Sequence, residues 1–137
     1  MDVENAVYPT RSRIEALMAD SSDAAVVMLN LLRFRNHAAY SDGRSTGLTG
    51  REAYGLYASA MRKVVEAHDG KFLFAGNIDS MVIGEVDDLW DACALVEYPS
   101  AAAFAAIAVS PEVAEIGAHR AAGLDGQLLI RVTQQPF

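Results

Sequence analysis

Two segments of this chain are apolar without alternation. Ala24-Ala25-Val26-Val27-Met28-Leu29-Asn30-Leu31-Leu32 is interrupted only by Asn30, and Ala92-Cys93-Ala94-Leu95-Val96 is not interrupted at all. A strand in a one-sided antiparallel sheet alternates apolar and polar residues, so an unbroken run marks a strand that leaves water on both faces. The chain has too few helical segments to cover two faces of a sheet. A partner subunit is therefore expected on the second face, which makes the chain a homodimer through its sheet.

The remaining elements follow from local signals. Residues 1–9 read as a loose arm. Thr10 caps a short helix to about Asp20, with Ile14, Leu17 and Met18 on one side. The first strand is expected from Ala24 to Phe34. A polar stretch of about 14 residues, Arg35 to Leu48, follows without periodicity, near the length at which a loop is functional or disordered. Thr49-Gly50-Arg51-Glu52 is a capping box, and Tyr54, Tyr57, Met61, Val64 and His68 form one helical stripe behind it. Gly70 is expected to end that helix in the left-handed conformation. Lys71 to Ala75 is a second strand, with a bulge at Gly76-Asn77 and a resumption at Met81-Val82-Ile83. Trp90 to Tyr98 is a third strand. Ser100 caps a helix anchored by Phe104 and Ile107, and Ser110-Pro111-Glu112 restarts it until Gly123. Gln127 to Thr133 is the last strand.

This order, strand-helix-strand-strand-helix-strand, is the split βαβ pair: α+β, ferredoxin-like, with a four-stranded antiparallel sheet and both main helices on one face. The first and third strands form its central pair, and they are the two that are apolar throughout, so pattern and topology agree. One domain spans 1–137, with the arm and short helix in 1–22 and the core in 23–134.

Composition narrows the partners. The chain has 11 Lys and Arg against 18 Asp and Glu, a formal charge of -7. No basic stripe is present to displace the counterions of a nucleic acid, and anionic membrane surfaces are disfavoured equally. No apolar run approaches the ~20 residues that span a bilayer. The acidic start, Met1-Asp2-Val3-Glu4-Asn5, is unlike a signal peptide. The single cysteine, Cys93, cannot form an internal disulfide and suits a cytoplasmic location. It reads as an inert strand thiol.

Several of these residues together resemble a known group. Asn30-Leu31-Leu32, the Tyr54/Tyr57 helix ending in His68-Asp69-Gly70, Gly76, Glu97-Tyr98-Pro99-Ser100, and Ser110-Pro111-Glu112 leading to Arg120 look like the domain of unknown function family 1330. The likeness spans about Ala24 to Val132. It departs at His68-Asp69-Gly70, where the family more often has His-Gly-Gly, and in a longer N-terminal helix and 35–48 segment. The resemblance implies a dimeric α+β barrel, a group that also holds small cofactor-free monooxygenases, muconolactone isomerase-like enzymes and stress-responsive barrel proteins.

Phosphate-loop, triad and metal-ligand motifs are absent from the sequence, so neither metal nor cofactor is expected. Chemistry is sought late in the second main helix, at His119 and Arg120, which lie beside the exit of the first strand. His37, Tyr40, Asp42 and Arg44 of the 35–48 loop can close over a pocket there. Arg120 is suited to clamp a carboxylate bidentately, and His119 to move a proton or, more plainly, to complement the helix dipole. Asn30 needs partners in its apolar strand, and either orients a ligand carbonyl or bonds a loop. Tyr54 and Tyr57 read as packing residues whose hydroxyls can serve a cavity. Glu97 reads as exposed or paired with Arg131, His68 as a helix-end residue, and Trp90 as an apolar anchor.

Three functional readings remain. The chain is a cofactor-free enzyme acting on an aromatic or unsaturated organic acid, with Arg120 and the ligand contacts Asn30, His37, Tyr40 and Arg44, and with His119 or Tyr54 moving the proton. Or the same pocket only binds, in a ligand-binding or stress-associated dimer. Or the fold is a structural dimerisation module without a pocket.

Overall fold

The computed structural model describes residues 2–136. Helix α1, Arg11–Ala19, follows the arm with Thr10 as its N-cap. Strand β1, Val26–Phe34, leads through the polar loop to helix α2, Gly50–Ala67. Strands β2, Lys71–Asn77, and β3, Ala92–Tyr98, come next. Helices α3, Ala101–Ala108, and α4, Pro111–Gly123, precede strand β4, Leu124–Val132.

The sheet order is β2-β3-β1-β4 and each adjacent pair is antiparallel. With a helix after β1 and another pair of helices after β3, this is the ferredoxin-like arrangement. Helix α2 begins as its sequence dictates. The Thr49 side chain accepts from the Glu52 backbone N–H at 3.1 Å, and the Thr49 N–H donates to Glu52 at 2.9 Å. Ser100 and Ser110 cap α3 and α4 with the side-chain bond alone, accepting from the Ala103 and Val113 backbone N–H.

Cross-strand register sorts the sheet's side chains. Val26, Met28, Val96 and Tyr98 face the helices and join Met61, Val65, Phe104 and Ile107 in the main core. Leu32, Ala92 and Leu124 form a second cluster at the end where β1 leaves the sheet. Leu124 is fully buried, so its truncation to alanine costs ~2–5 kcal/mol. On the opposite face two rows cross all four strands. One is Phe74-Leu95-Leu29-Ile130 and the next is Gly76-Cys93-Leu31-Leu128. The core clusters draw on the helix-facing residues and leave these rows uncovered, with Phe74 57% exposed.

Several expectations are corrected. Met81-Val82-Ile83 is not a strand: it lies in the β2–β3 connection, with Val82 93% and Ile83 90% exposed. Nothing pairs with its backbone, so β-propensity alone does not make a strand. The irregularity in β2 sits between Phe72 and Phe74 rather than at Gly76-Asn77, because the register to β3 shifts there. β1 starts at Val26 and β3 at Ala92, two residues later than expected in each case. β4 starts at Leu124, three residues early, because α4 passes straight into the strand without an intervening turn.

Asp69, not Gly70, takes the left-handed conformation, with φ 65°. Aspartate tolerates it through its short polar side chain. Gly70 is needed for another reason: a Cβ there would come within 2.7 Å of the Glu97 carbonyl oxygen. Glu97 cannot pair with Arg131, since β1 separates β3 from β4. Arg131 instead holds Asp20 at 2.7 Å and so ties the end of α1 to the sheet. That contact and the Ser22 backbone N–H hold the Asp20 carboxyl below its usual range, the Ser22 bond being the larger cause.

Candidate functional site

The helix-facing side of the sheet carries one polar chain. The Asn30 amide donates to the Met28 carbonyl at 3.2 Å. Its oxygen accepts from the Gln127 side-chain amide at 2.8 Å. The Gln127 oxygen in turn accepts from Arg120 Nη1 at 2.9 Å. Asn30 is thus satisfied as a half-buried amide must be. The relay aims the Arg120 guanidinium from α4 across the end of the sheet.

Around that guanidinium lie aromatic rings. Arg120 sits 5.1 Å from the ring centre of Tyr8 and 6.0 Å from that of Tyr57. Tyr57 contacts Tyr54 at 5.5 Å between centroids. Arg120 is half-buried and pairs with no carboxylate among the described residues. Most of its five donors therefore remain available.

Burial pushes the phenols of Tyr54, Tyr57 and Tyr98 up from their usual value. The Arg120 charge opposes this at Tyr54 and Tyr57, while Tyr57 adds to the rise at Tyr54 and both add to it at Tyr98. All three are neutral hydrogen-bond donors near pH 7. Of the described tyrosines only Tyr40 uses its hydroxyl in a protein hydrogen bond. Among the described residues no side-chain polar atom is both sealed from solvent and unpartnered, so the Tyr54, Tyr57 and Tyr98 hydroxyls border accessible space.

The expected loop residues go elsewhere. Tyr40 is buried, and its hydroxyl shares a 2.6 Å hydrogen bond with His119 Nδ1. His119 is thereby turned to the loop, while its neighbour Arg120 is turned to the sheet. Arg44 pairs with Asp42 through two guanidinium nitrogens and lies 4.6 Å from the Tyr40 ring centre. His37 is exposed. The loop is pinned rather than free. Ala38 N–H donates to Leu48, Ala39 N–H to Ala122, and Gly50 N–H to Arg35. The structure therefore brings Asn30, Arg120 and Tyr54 to one side of α4, and joins His119, Tyr40 and Arg44 on another. Of the bland readings, His68 does complete its helix end: its Nδ1–H donates to the Val64 carbonyl at 2.8 Å. Trp90 lies under Arg33, 4.7 Å from guanidinium to ring centre.

Three contributors carry no functional signal in the sequence. Gln127 stands at a strand start with nothing to mark its partners. Tyr98 stands at a strand end, although its position in the apolar third strand points it inward. Tyr8 belongs to the arm, which pairs Ala6 with Gln127 through two backbone hydrogen bonds. No hydrophobic period marks that pairing.

Strand order and helix placement define a ferredoxin-like α+β domain with an arginine-centred cluster between α2, α4 and the sheet. The chain belongs to the domain of unknown function family DUF1330, whose model matches residues 38–132. Tyr40, Arg44, Tyr54, His119 and Arg120 lie within the matched span, and Asn30 and His37 precede it. The chain is similar to RPA0582, a protein of unknown function from Rhodopseudomonas palustris. They share 34% identity over 97% of this chain and 99% of that one, with a TM-score of 0.85. The methylated RPA0582 protein gives 36% identity over 96% of each chain, with a TM-score of 0.86. A Bacteroides fragilis protein described as dimeric, of unknown function and ferredoxin-like fold, is 12% identical. That match covers 80% of this chain and 96% of that one at a TM-score of 0.46, too remote to bear on the present site. No curated protein matches the chain. Among the described residues no single helix is long and apolar enough to cross a membrane.

Proposed function

We propose that this protein is a homodimer joined through its open sheet faces, in which each subunit binds a small aromatic or unsaturated organic acid without a cofactor. The carrying observation is Arg120: a half-buried guanidinium, oriented by Gln127 and flanked by aromatic rings, with no carboxylate of its own among the described residues. A planar guanidinium of this kind suits a bidentate carboxylate. The rings of Tyr54 and Tyr57 suit an unsaturated body, and their neutral hydroxyls suit donation to it.

The dimer rests on the two apolar rows. Sheets pack face to face at ~10 Å when both inner faces are apolar. Row residues from one subunit meet those of its copy. The lone Cys93, in the second row, fits a reducing cytoplasmic compartment.

Binding is favoured over turnover because His119 Nδ1 is engaged by Tyr40, away from Arg120. A second reading, an isomerase- or cofactor-free monooxygenase-like enzyme, draws on Tyr54: burial keeps its phenol neutral, so it can orient a substrate by hydrogen bonding, although the raised pKa makes it a weaker acid than a free phenol.

A thermal-shift screen with benzoate, salicylate and sorbate tests the proposal. At about ten times Kd a bound acid adds ~1.4 kcal/mol, a rise of a few degrees in Tm. Arg120→Ala should abolish the rise and His119→Ala should leave it. No rise with any of the three acids, or a rise that survives Arg120→Ala, contradicts the site. Product formation that is lost in Tyr54→Phe, with binding kept, would favour the enzyme.

A further inference from the structure

A separate cleft opens where β1 leaves the sheet. One part, about 360 Å³ and open to solvent, is lined by Phe34, Arg35, Asn36, Thr49, Arg51 and Asp91. An adjoining part shares four of these residues and adds Arg33, His37, Asp88, Leu89 and Asp125. Phe34 lies about 13 Å along β1 from Asn30 at strand rise, and its ring contacts Tyr54 at 5.5 Å. It therefore stands between this cleft and the Arg120 cluster.

The cleft carries charges of both signs, and three of them, Arg35, Arg51 and Asp91, are held by hydrogen bonds. Arg35 is held through its backbone, which donates to Gly123 at 2.9 Å, and through Nε, which donates to the Leu124 carbonyl at 3.1 Å. Arg51 donates to the Asn77 side chain at 2.8 Å and lies 4.5 Å from the Phe34 ring centre. Neither guanidinium pairs with a carboxylate among the described residues. Asp91 accepts from the Phe34 N–H at 2.8 Å through one oxygen, and its backbone bonds both Leu32 and Ile78. Asp91 and Asp125 pair with no cation among the described residues, whereas Asp88 approaches Arg33 at 3.9 Å. The α2 terminus adds little, since the Thr49–Glu52 capping box and Arg35 already occupy its amides.

We infer that this cleft is a binding site for a small zwitterion of the amino-acid class. Its carboxylate is held by Arg35 and Arg51, and its ammonium by Asp91 and Asp125. The charges select such a ligand. A simple anion meets two unpaired carboxylates, and a simple cation meets two unpaired guanidinia. The anchored side chains of Arg35, Arg51 and Asp91 supply part of the preorganisation that a small ligand needs. The 360 Å³ part lies at the small end of ligand pockets in volume, and Phe34 gives its wall an apolar ring.

The site stands or falls independently of the Arg120 proposal. Amide and side-chain NMR spectra of the full chain are titrated with glycine, β-alanine and γ-aminobutyrate, and with butyrate and butylamine as single-charge controls. At least one zwitterion should give saturable shifts centred on Phe34, Asn36, Arg51 and Asp91. The two controls should bind at least about tenfold more weakly, as should the best zwitterion to Arg51→Gln and to Asp125→Asn. Asp125 is exposed, so its variant keeps the fold and the test decisive. No saturable shift by any zwitterion into the tens of millimolar, butyrate binding as tightly as the best zwitterion, or shifts centred on Arg120 and Gln127 would each overturn the inference.

Discussion

The Tyr40 hydroxyl and His119 Nδ1 lie 2.6 Å apart and join the 35–48 loop to α4. This bond, between a buried phenol and a half-buried imidazole, fastens the loop to α4. Tyr40→Phe keeps the ring and removes the bond. It should lower stability by about 1 kcal/mol, and it should speed amide exchange at Ala38 and Ala39 before the rest of the chain. Exchange unchanged in the loop would show that the bond does not hold it.

A second fastening is steric. Gly50 opens α2 and Gly123 ends α4, and a Cβ at either position would strike the other residue's carbonyl oxygen. The helix ends approach backbone to backbone, which only glycine permits. Gly123→Ala should cost at least about 2 kcal/mol in urea unfolding, from overpacking of an otherwise close-fitting contact. Gly55→Ala, where added bulk meets nothing, should be neutral or stabilising through helix propensity.

Alkaline pH should unfold this protein through its buried tyrosines. The pKa values of Tyr54, Tyr57 and Tyr98 are raised above the unfolded phenol value of about 10, so the folded state holds these protons more tightly. The stability that results is complete below about pH 10 and is lost as pH rises through the folded values, by up to ~1.4 kcal/mol per pH unit per phenol. Urea unfolding between pH 8 and 11.5 should show a plateau and then a fall. Tyr98→Phe should make the fall shallower.

The open sheet face gives its own prediction. Leu31 sits between Cys93 and Leu128 in an apolar row, and Leu29 between Leu95 and Ile130 in the next. Sedimentation of the unmodified chain should show a dimer, with Leu31→Asp giving monomer or aggregate. Cys93 reports on the same surface: a thiol reagent should label it slowly in the dimer and rapidly in Leu31→Asp. A stable folded monomer for the unmodified chain would remove the sheet-to-sheet interface.

Much of the fold was legible because its signals are local or periodic. The capping box at Thr49–Glu52, the cap and proline at Ser110-Pro111, and the unbroken apolar runs of β1 and β3 each name their own structure. The Met81–Ile83 segment misled because β-branched residues look the same in a strand and in an exposed loop; pairing partners decide. Half of the candidate site was legible too. Asn30 stands out as an amide in an apolar strand, and Arg120 as a cation near a helix end. Their link through Gln127 was not, because it depends on register between β1 and β4. His119 was grouped with Arg120 by adjacency, yet consecutive helical residues face different ways, about 100° apart. The charged cleft at Arg35, Arg51 and Asp91 comes from three elements far apart in sequence, and no spacing announces it.

Everything proposed for the Arg120 cluster requires that guanidinium to hold a carboxylate. The most direct measurement is ¹⁹F NMR of 4-fluorobenzoate titrated with the unmodified chain and with Arg120→Gln, which keeps a hydrogen-bonding side chain but removes the charge. The account predicts saturable binding to the unmodified chain and at least about tenfold weaker binding to the variant. Equal binding to both proteins, or none to either, would contradict it.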